Sequence, residues 1–162
     1  IVYGAIGFHP TELEDVNLDS LDFIEKNISN DKIVAIGEIG LDYHYDNTDK
    51  EKQQLFFRRQ LEIASKYHKP VIVTEYGADT IAGMHKLPEV IFSEEYQVTY
   101  LEENNIAMYS CDFVAGEHIW AFADFMTSFG LRRIDGNKKG IFTRQRQPKA
   151  AAFAIRKRWL EK

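Results

Sequence analysis

The run Val71-Ile72-Val73-Thr74-Glu75-Tyr76-Gly77 carries β-branched residues up to a carboxylate, Glu75. Entered from Lys69-Pro70 and left through Gly77, it reads as a strand buried on both faces. In parallel α/β sheets the chemistry gathers just beyond the carboxyl ends of the strands, where Glu75 would stand. A second apolar run, residues 33–38, ends in an acid as well, Glu38. If strands that follow one another in sequence pair, these carboxylates project from strand ends about 4.8 Å apart. Repulsion at such a spacing keeps one of the two acids protonated, the state a general acid needs. The competing reading for each is an acid in a solvated loop.

The elements that must position these groups recur in a regular order. Residues 2–8 form a strand broken by Gly4 and Gly7 and turned by His9-Pro10, and residues 18–28 form a helix with Leu18, Leu21, Ile24 and Ile28 on one face. After the strand 33–38, Thr48-Asp-Lys-Glu51 reads as a capping box opening a helix to about residue 67, with Phe57, Leu61 and Ala64 inward. The strand bearing Glu75 is followed by a loop over residues 78–92 and a helix capped by Ser93, with Glu94 and Glu95 in its first turn. A fourth strand, residues 113–117, leads through His118-Ile-Trp120 into a loop reaching Lys139. The last helix starts at Pro148 and offers Phe153, Ile155, Trp159 and Leu160 for burial.

Four strand–helix units predict a single α/β domain over 1–162 with a parallel sheet and right-handed crossovers. A closed (β/α)₈ barrel takes roughly 250 residues, so four units make a partial TIM barrel. A four-stranded half-barrel leaves two raw edges and an open inner face, which pairing with a second copy would cure, completing eight strands in a homodimer. A twisted open sheet with helices on both faces is the alternative architecture.

Composition narrows the function classes. The 162 residues are 44% hydrophobic and 28% charged, with a net charge of -5, so a nucleic-acid backbone binder is not expected. The basic cluster of residues 144–149 and 156–158 reads as a solvated helix face. One cysteine, Cys111, rules out an internal disulfide and fits a reducing, cytoplasmic setting. No apolar run approaches membrane-spanning length, and no signal peptide is visible. The chain opens Ile-Val-Tyr-Gly, without Met and in what reads as mid-strand, as expected of an excised or assembled segment.

Longer motifs resemble two families. Ala5-Ile-Gly-Phe-His-Pro10, Ile33-Val-Ala-Ile-Gly-Glu-Ile-Gly-Leu-Asp-Tyr43, and Gln60-Leu-Glu-Ile-Ala64 leading to Lys69-Pro-Val-Ile-Val73 resemble the TatD family of metal-dependent deoxyribonucleases. From about Pro70 onward the chain resembles the C-terminal part of β-glucuronidases, family-2 glycoside hydrolases. The carriers are Thr74-Glu-Tyr-Gly-Ala-Asp-Thr-Ile-Ala-Gly83, Ser93-Glu-Glu-Tyr-Gln97, Gly116-Glu-His-Ile-Trp120, Phe122-Ala-Asp-Phe125, Gly136-Asn-Lys-Lys-Gly-Ile-Phe-Thr-Arg144 and Gln147-Pro-Lys149. The chain therefore reads as an engineered chimera of two barrel fragments, a TatD-like segment over 1–73 and a β-glucuronidase-like one over 74–162, joined near 70–74.

The second resemblance implies roles. Glu75 matches the nucleophile that attacks the anomeric carbon, and Asn137 and Lys139 match the pair that holds the sugar carboxylate, with Arg133 contributing from the same loop. Trp120 matches an aromatic lining the sugar site. Ala121 departs from the family, which carries Asn there. The family's acid/base lies on an earlier strand absent here, and retaining hydrolysis needs a second carboxyl roughly 5–5.5 Å from the nucleophile, which makes Glu38 the candidate. On the TatD side Glu38 matches a metal-bridging glutamate, but the His-x-His pair is missing and Thr74 stands where a histidine belongs. His9, His44, His68, His85 and His118 supply no known ligand spacing, so no metal and no cofactor are expected. The implied function is a weak retaining hydrolase fragment acting on a small glucuronide. The alternative is a catalytically inactive scaffold, and a TatD-like nuclease ranks below both.

Overall fold

The computed structural model describes residues 2–43, 48–128 and 135–161. Strands and helices alternate as β1 (Gly4–Ile6), α1 (Asp22–Asn27), β2 (Ile33–Ile36), α2 (Lys50–Lys66), β3 (Val71–Tyr76), α3 (Glu94–Tyr109), β4 (Val114–Ile119) and α4 (Ala150–Leu160). The fold is α/β with short parallel strands: β1 and β2 run parallel in the register Ala5↔Ala35 and Ile6↔Ile36, and β3 pairs with β4. No helix among the described residues is long and apolar enough to cross a membrane. The chain divides into two compact units, Ile1–Ile72 with Asp112–Gly116, and Val73–Cys111 with Glu117–Lys162.

The first unit is built on aliphatic packing. Leu21, Ile24 and Ile28 meet Ile36, Phe56, Ile63, Ala64 and Val71 in one buried cluster, and the Phe8 ring stands edge-on to Phe56. Helix spacing selects Gln53, Phe56, Gln60, Ile63 and Ala64 as the buried stripe of α2. The register therefore falls on Phe56, with Phe57 only half-buried, and Leu61 partly buried beside the cluster. Asp49, not Thr48, caps this helix, its carboxylate accepting the Lys52 N–H at 2.9 Å. The expected single helix over 18–28 begins instead as a 3-10 turn, Leu18–Leu21, capped reciprocally by Asn17 and Ser20. Leu18 stays 42% exposed as a result.

The strand carrying Glu75 is not buried on both faces. Val71 and Tyr76 are buried, whereas Ile72, Thr74 and Glu75 are exposed. Val34 of β2 is exposed too, and the expected four-stranded parallel sheet is present instead as two pairs, β1 with β2 and β3 with β4. The expectation of burial on both faces failed because a β-branched run shows that both faces are apolar, not that both are covered.

The second unit packs α3 against α4 around Tyr76, Leu101, Ile141, Ala151 and Ile155. Of the residues offered for burial by α4, Ile155 is buried, while Phe153, Trp159 and Leu160 are exposed. The buried stripe of α3 is Glu94, Gln97, Leu101 and Asn105, three of them polar. These side chains tie loops down. The Glu94 carboxylate accepts the Gly83 N–H at 2.7 Å and the Ala150 N–H at 2.5 Å, capping α4 from another helix.

Candidate active site

Three segments of the second unit meet at the end of β3. Gly77 follows Glu75 by two residues, and a Cβ there would lie 1.9 Å from the Trp120 carbonyl oxygen and 3.7 Å from the Lys139 Cβ. Only glycine allows this approach, which brings Trp120 and Lys139 beside the exit of the strand that bears Glu75. Backbone pairing fixes it: the Trp120 N–H donates to the Tyr76 carbonyl at 2.8 Å, and the Ala121 N–H to the Lys139 carbonyl at 3.1 Å. Gly140 is held as tightly, since a Cβ there would lie 2.2 Å from the Asp124 nitrogen.

Within the turn 137–140, Asn137 is fully buried and its Oδ1 accepts the Lys139 N–H at 2.9 Å. Its Nδ2 has no hydrogen-bond partner among the described residues. Lys138 is committed elsewhere, its ammonium to Asp135 at 2.7 Å and its N–H to the Asp79 carboxylate at 2.9 Å. The half-buried Lys139 makes no ion pair with any described residue. Among the described residues, the turn thus offers one unpaired amide donor and one uncommitted cation. Trp120 is 39% exposed, its ring edge-on to Phe125 at 5.9 Å. Arg133 lies outside the described residues.

On the far side of β3 and β4 the strand ends are anchored. The Tyr76 hydroxyl donates to Glu117 at 3.0 Å, the Asn105 amide donates to both, and Arg158 closes on the other oxygen of Glu117. Burial pushes the Tyr76 phenol up to about 12, with the nearby Glu117 carboxylate acting in the same direction. Glu75 and Tyr76 are consecutive in a strand and point to opposite faces, so this network fixes the backbone from which Glu75 projects.

Glu38 falls in the first unit, 65% exposed at its side chain, with Oε1 3.9 Å from His9 Nε2. No group of three or more metal-ligating His, Cys, Asp or Glu side chains exists among the described residues. One exposed carboxylate with one histidine is a poor donor set for a divalent ion, so the metal chemistry implied by the TatD resemblance does not fit these residues. Two clefts of the second unit, about 560 and 300 Å³, adjoin residues 121–126 and the 138–145 region, and Glu75 lines neither.

Sequence reasoning missed Lys149. It was assigned to a solvated basic face, yet it is 1% exposed and paired with Asp124 at 2.9 Å. Gln97 was missed as well; its amide donates to the carbonyls of Ala78, Lys139 and Gly140. Both residues sit inside motifs that carried the resemblance, which marked them as matching without saying what they touch.

Comparison with known proteins bears on both parts of the chain. The profile of the TatD related DNase family matches residues 1–86. A curated β-glucuronidase of Paenibacillus borealis is 61% identical over 95 residues, 59% of this chain and 16% of the relative. A solved β-glucuronidase from an uncultured Clostridium species is 79% identical, with a TM-score of 0.59 over 61% of this chain and 17% of its own. The Ruminococcus gnavus β-glucuronidase solved with D-glucuronic acid is 49% identical, with a TM-score of 0.59 over 68% of this chain and 20% of its own. The chain spans less than a fifth of the length of the curated relatives it matches. Similarity to the two families is what a chimera of TatD-like and glucuronidase parts would display.

Proposed function

We propose, for a chain that belongs to the TatD related DNase family through residues 1–86 and is homologous to β-glucuronidases over as much as 74% of its length, that the chemistry lies on the glucuronidase side. The chain carries the nucleophile and carboxylate-binding portion of a retaining glycoside hydrolase. Residues near 70–74 are the junction between its two parts. The observation supporting this most directly is the pairing, in one turn, of an Asn137 amide and a Lys139 ammonium that have no partner among the described residues. An unpaired buried donor is costly unless a ligand supplies its acceptor, and a charge-assisted contact from Lys139 favours an anionic acceptor. A sugar carboxylate meets both demands, with Arg133 as a third donor.

In this reading Glu75 attacks the anomeric carbon, and the bond to the aglycone breaks as the glycosyl–enzyme bond forms. Water then releases the sugar. Trp120 presents an aromatic face to the ring. Glu38, the candidate read from the sequence, follows β2, which pairs with β1 and not with the strand bearing Glu75, so no residue is assigned as the general acid that protonates the departing aglycone. Without such an acid the reaction is slower by about 10²–10⁴-fold. The exposure of Val34 and Ile72, apolar residues on two different strands, supports association of two copies into an eight-stranded barrel. The single Cys111 accords with a cytoplasmic setting.

The test is hydrolysis of an activated aryl β-glucuronide, whose leaving group needs little acid help, with Glu75→Gln in parallel. Turnover that vanishes in Glu75→Gln and is absent with an aryl β-glucoside supports the assignment. The second reading, an inactive scaffold, is favoured by the absence of Glu75 from both clefts. It requires folded protein with no rate above buffer.

A further inference from the structure

We propose that Lys149 is the positioning residue of the carboxylate-binding turn, its buried ammonium clamping residues 137–140 through the Lys138 carbonyl so that Asn137 and Lys139 are presented together. The inference rests on the carboxylate reading of that turn and adds to it the group that holds the turn in shape.

An ammonium has three N–H donors, and Lys149 fills all three. Nζ donates to the Thr80 carbonyl at 3.0 Å, to Asp124 Oδ1 at 2.9 Å and to the Lys138 carbonyl at 3.0 Å. These acceptors come from the loop after β3, the loop after β4 and the turn itself, so one point charge joins the three segments that bound the site. Asp124 Oδ1 also accepts the Gly140 N–H at 3.0 Å. The Thr80 N–H reaches the same Lys138 carbonyl, at 3.0 Å. The turn is therefore gripped on both flanks of Lys139, at the carbonyl before it and at the N–H after it, by contacts that do not use the Lys139 side chain.

A lysine suits this point and an arginine does not. Three acceptors converge on one nitrogen, which a compact ammonium satisfies and a planar guanidinium, with donors spread over a fork, does not. Desolvation by burial lowers the affinity of Lys149 for its proton, and Asp124 opposes that loss in part.

Removing the ammonium alone strands the Asp124 charge, so the test uses Lys149→Met with Asp124→Asn, which neutralises both and keeps an oxygen for the Gly140 N–H. Amide exchange and the affinities for D-glucuronic acid and D-glucose are measured on wild type and on this double variant. The expected result is at least tenfold faster exchange at Lys139 and Gly140, unchanged exchange in the middle of α3, and at least a tenfold fall in the preference for D-glucuronic acid. A lower melting temperature with unchanged exchange at the turn and unchanged preference overturns the proposal, because a purely structural lysine would behave so. If wild type shows no preference for D-glucuronic acid, the carboxylate reading falls. The exchange arm then decides the clamp alone, acceleration at the turn supporting it and equal rates overturning it. If the double variant does not fold, the wild-type Lys149 ammonium is read by nitrogen NMR. A resolved, slowly exchanging signal supports the clamp, and one averaged with the solvated lysines overturns it.

Discussion

The two units solve the same packing problem with different materials. Among the described residues, the first buries Leu13, Leu21, Ile24, Ile28, Ile36, Phe56, Ile63, Ala64 and Val71 with only Gln53 and Gln60 as buried polar side chains. The second buries Thr80, Ser93, Glu94, Gln97, Asn105, Asp124, Asn137 and Lys149 beside a smaller apolar cluster. Aliphatic packing is non-directional and tolerates exchange of shape at constant volume. A polar network instead sets positions atom by atom, and it costs dearly if one member is lost. The unit that must hold a turn in one geometry is the one built from directional contacts.

The largest expected effect probes the aliphatic side. Phe56→Ala leaves a cavity beneath α2 and lowers stability by about 3–5 kcal/mol. Urea unfolding followed through amide exchange in α2 reads it, and a loss below about 1 kcal/mol would mean that the cluster around Phe56 is not the core of its unit.

Next in size is an alkaline effect confined to the second unit. Because the Tyr76 phenol is raised from its ordinary value of 10.0 to about 12, the folded state holds its proton where the unfolded state releases it. The associated stability is fully present below pH 10 and is lost as pH rises toward about 12. Two units of separation correspond to on the order of 2 kcal/mol. Denaturation midpoints at pH 9 and pH 11.5 should separate by that amount more in wild type than in Tyr76→Phe, which has no phenol to ionise. Equal losses would show that Tyr76 is not the group titrating.

A third substitution tests whether the polar network is cooperative with the turn. Gln97→Leu takes a donor from the carbonyls of Ala78, Lys139 and Gly140 at once and costs about 1–3 kcal/mol. Gln60→Leu in the first unit removes the amide that bridges the N–H and carbonyl of Phe8, a single residue, and serves as the matched control. Faster amide exchange at Lys139 and Gly140 in Gln97→Leu only is the expected pattern; an equal response in both variants would erase the contrast between the units.

The same contrast explains what the sequence disclosed. The alternation of strands and helices was legible because each element has a periodic apolar signal or a cap, as with Ser93, whose hydroxyl accepts the Tyr96 N–H. Residues such as Glu75, Trp120 and Lys139 were legible as motif positions, and the structure brings Trp120 and Lys139 to the end of the strand bearing Glu75. The stripe of α3 was not legible. Glu94, Gln97 and Asn105 recur at helical spacing, yet a hydrophobic period passes over polar residues. Lys149 failed for a related reason, since a lysine beside other cations reads as surface until three distant acceptors are seen around it. Exposure of Ile72 and Val34 depends on what covers a sheet face, which lies beyond any local window.

The smallest expected effect lies at the surface of the second unit, where charge meets charge without burial. His85 Nδ1 stands 2.8 Å from Glu95, whose other oxygen accepts the Lys86 N–H at 3.0 Å. The hydrogen bond that Glu95 accepts from His85 raises the imidazole above its ordinary 6.5, and the same bond lowers Glu95. For the raised histidine the stabilisation is fully present below 6.5 and is lost as pH climbs through its folded value. For the lowered glutamate it is present above 4.5 and is lost as pH falls through its folded value. The pair therefore acts in full across the mildly acidic interval between and fades on either side of it. Proton NMR of the His85 ring should show a midpoint above that of a free imidazole, returning toward it in Glu95→Gln and in high salt, where exposed pairs are screened. A midpoint that ignores both would assign the shift to something other than this contact. A large loss of folding stability in Glu95→Gln would place directional electrostatics at the surface of this unit as well as in its interior.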